Sequence, residues 1–367
     1  MRTAIVVMLI TMITGHAAAQ HRGRIEVGLA AQHWESSDTT ALEVSQIAIP
    51  LRLDLPLGSR FGFSLKSNPG RTVLDATDEE LSAAGNVVLK TSWYALDQTL
   101  LLRAGCSVPT ASTRLTEEEL PIATLVANDE LGFAMDSPID GFCASAGIAA
   151  ARQWGKNTFA TGVGYALRAP YQPYEDTKEE LDPGEELVFT VGLHRRVAMV
   201  GEPALLKADV AVVLYDSDLW EGDEIRKLGP RTDLRSVLVM YPGRFDPVEV
   251  SLWARFRGAG KVSDGDEMVD EEENSFGPEG ALRLRAGYVI APWLKVEASG
   301  FGRIKGDNGY GTGSGHVFGA AIGPRIGLGK GTSLMISGGA LSGSVWTSIG
   351  DTDISGYEVR SMLARTW

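Results

Sequence analysis

The feature that most constrains this chain is a strict alternation of apolar and polar residues in segments of about ten. That is the spacing at which successive side chains point to opposite faces of a β-sheet. In Ile47-Ala48-Ile49-Pro50-Leu51-Arg52-Leu53-Asp54-Leu55 every odd position is apolar, and the even ones include a cation, an anion and a proline. Leu206 to Leu214, Val248 to Arg257 and Leu282 to Tyr288 repeat the pattern with charges on the second face. After Gln20 no apolar run reaches the roughly 18 residues of a membrane helix, so a helical membrane protein is excluded.

The same scan places strands near 23–34, 41–55, 59–67, 84–96, 98–108, 140–153, 156–168, 184–197, 204–216, 231–241, 246–257, 279–291, 293–305, 313–327, 331–343 and 355–367. Connections alternate in length. Pro56 to Gly58, Asp97, Gly155, Tyr241 to Arg244, Pro292 and Gly329 to Gly331 make short turns. Long loops fall near 35–40, 68–83, 109–139, 169–183, 217–230, 258–278, 306–312 and 344–354. A soluble sandwich has no reason to alternate in this way. An outer-membrane barrel does, with tight periplasmic turns and longer extracellular loops. The expected fold is therefore all-β: an antiparallel transmembrane β-barrel of about 16 strands, within a range of 14 to 18, formed by a single domain over residues 20–367.

Residues 1–19 read as a cleaved signal peptide: Arg2, then an apolar core from Ala4 to Ile13, then the small residues Ala17-Ala18-Ala19. Outer-membrane location after export is the expectation. The 43 glycines follow no collagen-like period and belong to strands and turns. A net charge of −13 excludes nucleic acid as a partner. Cys106 and Cys143 fall on predicted neighbouring strands but on opposite parities, which argues against a disulfide.

Sorting by parity gives one face of Leu, Val, Ile, Phe and Ala, suited to lipid, and one carrying charge. The charged face yields the candidate pore lining: Arg103, Lys207, Asp209, Arg235, Glu249, Arg255, Arg283, Arg285, Lys295, Glu297 and Arg303, with Arg52, Lys66 and Lys90 among its further cations. Cations outnumber acids there, so a basic lumen beneath acidic loops is expected, and rings of charge of one sign favour ions of the other. The competing expectation is a charge-knitted wall in which Arg and Glu simply pair. Trp34, Trp93, Tyr94, Trp154, Tyr241 and Trp293 lie near strand ends, where an interfacial girdle would place them. The acidic run from Asp264 to Glu273 lacks the calcium-loop spacing and reads as a solvated tip. Within the longest loop, Thr116-Glu117-Glu118-Glu119 is a capping box for a short helix. That loop either folds inward or arches over the rim.

In Tyr357, Val359, Leu363 and the final Trp367 one parity is apolar and the chain stops on an aromatic. This resembles the last strand of outer-membrane barrels, whose terminal aromatic the assembly machinery reads. Asn86 to Tyr94, followed by Leu100 to Gly105 and Val108-Pro109-Thr110, is similar to a strand pair of barrels grouped with fatty-acid and aromatic-hydrocarbon importers. The strand number and one dominant third long loop look more like general porins. The Pro-Glu-Phe-Gly signature of the porin constriction loop is missing, and the first strand begins within a few residues of Gln20, leaving no room for an N-terminal hatch.

What the resemblance implies is passage of small solutes; the basic lumen read from parity adds anions to them. Uptake of hydrophobic compounds, a plugged structural or adhesive barrel, and a lipid hydrolase are the alternatives in descending order. His21, His33, His194 and His316 lie in no Ser/His or Asp/His motif, so no catalytic residue, cofactor or metal site is assigned. Expected partners are outer-membrane lipid and lipopolysaccharide, the assembly machinery and an unidentified small solute, with a homo-oligomer left open.

Overall fold

The computed structural model describes residues 23–36, 43–75, 79–83, 85–110, 114–127, 131–135, 141–199, 202–243, 245–265, 267–271, 275–308, 313–347 and 350–367. The leader assigned to 1–19 lies outside them. Sixteen antiparallel strands close a barrel: β1 (Arg24–Ser36), β2 (Glu43–Ala48 and Leu51–Leu57), β3 (Phe61–Ser67 and Gly70–Leu74), β4 (Glu79–Ala83 and Asn86–Ala95), β5 (Leu100–Pro109), β6 (Cys143–Trp154), β7 (Asn157–Arg168), β8 (Glu186–Met199), β9 (Glu202–Tyr215), β10 (Arg231–Met240), β11 (Val248–Arg257), β12 (Glu279–Ala291), β13 (Leu294–Lys305), β14 (Gly315–Gly329), β15 (Thr332–Thr347) and β16 (Gly350–Thr366). Each strand pairs with the next, and β16 returns to β1 in register from Arg24↔Thr366 to Ser36↔Ile354. Closure leaves no unpaired edge, the condition for a sheet to stand in hydrocarbon.

Gly23 and Trp367 exchange both backbone hydrogen bonds at 3.1 Å, so the two ends meet on the side of the short turns. The turns there use left-handed backbone. Leu96, Asp97 and Gln98 carry φ of 48°, 53° and 67°, and the sequence Gly329-Lys330-Gly331 turns through 86°, 49° and 76°. Glycine relieves two of those three positions; Lys330 takes the third.

Two predicted loops are strand instead. The 68–83 segment continues β3 and β4 as a hairpin, with Gly70↔Ala83 to Leu74↔Glu79 in register. The 344–354 segment is likewise spanned by β15 and β16, paired up to Thr347↔Gly350. In both, polar residues occupy each face, because the wall there has risen past the band of about ten residues per strand that lipid covers and alternation is no longer imposed. Where β2 to β4 leave that band, Ile49-Pro50, Asn68-Pro69 and Gly85 lie outside the three neighbouring strands. Backbone bonds still cross there, from Ile49 N to the Pro69 carbonyl at 2.8 Å and from Gly28 N to the Pro50 carbonyl at 2.9 Å.

Three long loops join in a small second sheet at the rim, a feature the sequence did not suggest. Leu181–Asp182 pairs with Ser217–Trp220, then Asp223–Lys227, Lys261–Ser263 and Met268–Asp270 in order. The acidic segment is partly folded into it. Glu271 is buried, accepting from Gly260 N at 3.0 Å and the Ser275 hydroxyl at 2.8 Å.

Candidate functional site: outer belt, lumen and inner loop

Outward side chains alternate with inward ones along every strand, and the outward set is apolar. On β1, Ile25, Val27 and Leu29 are exposed while Glu26, Ala30 and Gln32 are buried. On β11, Leu252 and Phe256 are exposed while Arg255 is buried. A water-soluble barrel would put its apolar residues inside. Here large side chains such as Ile47, Val191, Leu284 and Ile322 face away from the barrel on strands with no outer layer to cover them. Near the short turns the belt ends in exposed aromatics: Phe61 stacked on Trp93 at 6.2 Å, Phe245 edge-on to Tyr288 at 5.4 Å, with Trp154, Tyr241, Trp293 and Trp367. Aromatic rings gather at that depth in membranes. The chain is a transmembrane β-barrel of the outer-membrane kind.

The barrel's terminal residues Tyr357, Val359, Leu363 and Trp367 all face outward, as their shared parity requires. Two of the expected girdle residues do not. Trp34 is fully buried among Leu131, Val317, Leu341 and Val345, and Tyr94 is buried inward. Each shares parity with its strand's polar set, so strand ends alone misplaced them. Cys106 and Cys143 are not joined in a disulfide.

No family model and no curated protein matches the sequence. Among solved structures the barrel is similar to the outer membrane protein OpdK of Pseudomonas aeruginosa, with TM-score 0.46 and 11% identity over 94% of this chain and 99% of that one. It is also similar to the outer membrane channel DcaP of Acinetobacter baumannii, with TM-score 0.43 and 12% identity over 94% and 97%. A third is OmpT, an outer membrane protein of Vibrio cholerae, with TM-score 0.41 and 9% identity over 96% and 100%. Likeness this remote transfers no function.

The charged parity faces inward, and ion pairs divide it into two regions. Towards the extracellular mouth the charges are knitted. Arg255 donates to Asp233 at 2.7 Å and reaches Glu279 at 3.4 Å, Arg168 pairs with Glu186, and Arg231 lies 3.1 Å from Asp233 at an angle that misses a hydrogen bond. Arg257 lies over Phe276 at 4.1 Å, tying the rim loops to the wall.

Lower down, Arg285 and Arg325 converge on Glu297 at 2.8 and 2.6 Å, and Lys295 holds Asp246 at 2.7 Å. Among the described residues, Lys90, Lys207, Arg235 and Arg283 have no acid within ion-pair range, against the unpaired acids Asp209 and Glu249. Arg283 shares its surroundings with Arg360 and Glu358 of β16, four strands away round the wall, so its field crosses the interior.

On β2 to β5 the charges form a stripe. Arg52 and Lys66 are paired in register, and Lys90 lies in the field of Arg103, Lys66 and Arg52. Asp54, bonded to Arg52 at 2.7 Å, is the acid that shares this field. Arg103 is bonded to Tyr94, which explains why that ring turns inward.

The long loop after β5 folds into the barrel. Its capping box forms as expected: Glu119 N donates to the Thr116 hydroxyl at 3.2 Å and Thr116 N to the Glu119 carboxylate at 3.0 Å, opening helix α1 (Glu119–Ala127). Leu115, Ile122, Ala123, Val126 and Met135 pack on Ala48 and Leu81 of the wall, while Leu131 reaches Trp34. Two wall glutamines hold the segment. Gln46 accepts from Ala134 N at 2.8 Å and Met135 N at 3.0 Å and donates to the Thr72 hydroxyl at 2.9 Å. Gln32 accepts from Ala134 N at 3.2 Å and donates to the Gly132 carbonyl at 3.3 Å. Gly132 approaches Arg303 so closely that a β-carbon would sit 3.2 Å from its Nη1.

His33 Nδ1 lies 3.0 Å from the Ser45 hydroxyl, but that hydroxyl donates to Asp75 at 3.1 Å. Its proton is therefore not offered to the imidazole, which is not the arrangement of an activated nucleophile.

Proposed function

We propose that the barrel is an outer-membrane channel for small solutes, anionic ones by preference, narrowed by the inward loop. The observation that carries this is the stripe of Arg52, Lys66, Lys90 and Arg103 on one wall, where Lys90 lies in the field of the other three cations and of Asp54, and Glu26, opposite Arg52, is paired with Arg24. Facing cations in a confined, partly desolvated lumen attract anions more strongly than the same charges in bulk water. Of the sequence-derived lining set, Lys207, Arg235 and Arg283 stand against Asp209 and Glu249 on the far wall and leave a small positive excess there. Arg255, Arg285, Lys295 and Glu297 are tied in ion pairs and act as wall, and Arg303 lies against the loop at Gly132.

Reversal potentials across a salt gradient in planar bilayers test the proposal. The unaltered protein should be anion-selective, and the double variant Lys90→Glu/Arg103→Glu should lose or invert that preference with steps still present. Selectivity indifferent to the double change would refute the role of the stripe. A second reading, a barrel closed at rest, is favoured by the glutamine-held loop; it predicts silence that ends when the loop is released.

A further inference from the structure

We propose that His33, Glu43 and Asp75 form a binding site for a divalent transition cation of the zinc class on the outer wall, above the lipid belt. The site lies outside the lumen and does not depend on the channel reading. His33 lies on β1, Glu43 opens β2 and Asp75 directly follows β3, and the three share the outward parity. His33 is opposite Ser45 and Glu35 opposite Glu43 in register, and Asp75 N bonds the Glu43 carbonyl at 2.8 Å. Their ligand atoms all lie within 4.8 Å of one another. A tetrahedral zinc with bonds of about 2.0–2.2 Å holds its ligands roughly 3.5 Å apart, so small rotations of half-exposed side chains close the set.

Two further features point to a cation. Ser45 links two of the ligands, lying 3.0 Å from His33 Nδ1 and donating to Asp75 at 3.1 Å, and the Tyr357 ring packs on the imidazole, tilted by 32° at 5.1 Å. Such outer contacts orient metal ligands. In addition, Glu35, Glu43 and Asp75 crowd one face, and none is in an ion pair among the described residues. Like charges opposite one another across strands are destabilising, and a dication relieves them. Carboxylates alone would suit calcium or magnesium; the imidazole nitrogen shifts the preference to zinc, nickel or copper.

Titration calorimetry of the untagged, detergent-folded full chain with zinc chloride tests the site. The expected result is one saturable equivalent, weakened about a hundredfold by His33→Ala or Asp75→Asn and about tenfold by Ser45→Ala. His316→Ala should leave it unchanged, and circular dichroism verifies folding of each variant. Absence of saturable zinc binding would overturn the proposal. So would zinc binding that His33→Ala leaves intact, or calcium bound as tightly as zinc.

Discussion

Replacing Gln46 with Leu should release the inner loop. Gln46 is buried and makes three hydrogen bonds, to Ala134 N, Met135 N and the Thr72 hydroxyl. Ala134 N keeps Gln32 as a second acceptor at 3.2 Å, so the change orphans one backbone N–H, that of Met135, and one side-chain partner, Thr72. A buried donor left without an acceptor costs about 1–3 kcal/mol and the lost bond to Thr72 about 0.5–1.5, together about 1.5–4.5 kcal/mol. At about 1.4 kcal/mol per factor of ten, the undocked loop becomes about 10 to 2,000 times more populated. Hydrogen exchange of the amides at 132–135 reads this directly, and single-channel conductance should rise or flicker in parallel. Unchanged protection at those amides would refute the claim that the glutamines hold the loop.

Asp233→Asn removes the charge between buried Arg231 and Arg255 and should destabilise the barrel by about 3–5 kcal/mol in urea unfolding, since an uncompensated buried cation remains. A loss under about 1 kcal/mol would mean that water already screens the cluster. Trp367→Ala should lower the amount of folded barrel recovered from outer membranes severalfold while leaving detergent refolding unchanged; equal losses in both would make Trp367 a stability residue rather than an assembly signal.

All sixteen strands were legible because lipid outside and water inside impose alternation wherever the wall crosses the membrane. Legibility stopped where that constraint stops. The upper parts of β3, β4, β15 and β16 are wet on both sides and read as loops. The rim sheet is made of strands of two to five residues, too short to show a period. Thr116 and Glu119 announced their helix, since a capping box is local, but its inward docking depends on Ala48, Leu81 and Gln46, which only the fold brings near. Trp34 could have been placed: it shares parity with Ala30 and Gln32, not with Leu29.

The charged parity was legible in the alternation. Which of its residues are neutralised depended on cross-strand partners such as Asp233 for Arg255 and Asp246 for Lys295, which register decides. Likewise His33, Glu43 and Asp75 carry no spacing signature, because two hairpin loops separate them.

The central claim is a cation-lined passage, and solute flux into liposomes containing the purified barrel tests it most directly. Small dicarboxylates, neutral polyols and diamines of matched size should enter in that order of rate. Equal rates for all three, or diamines entering fastest, would contradict it.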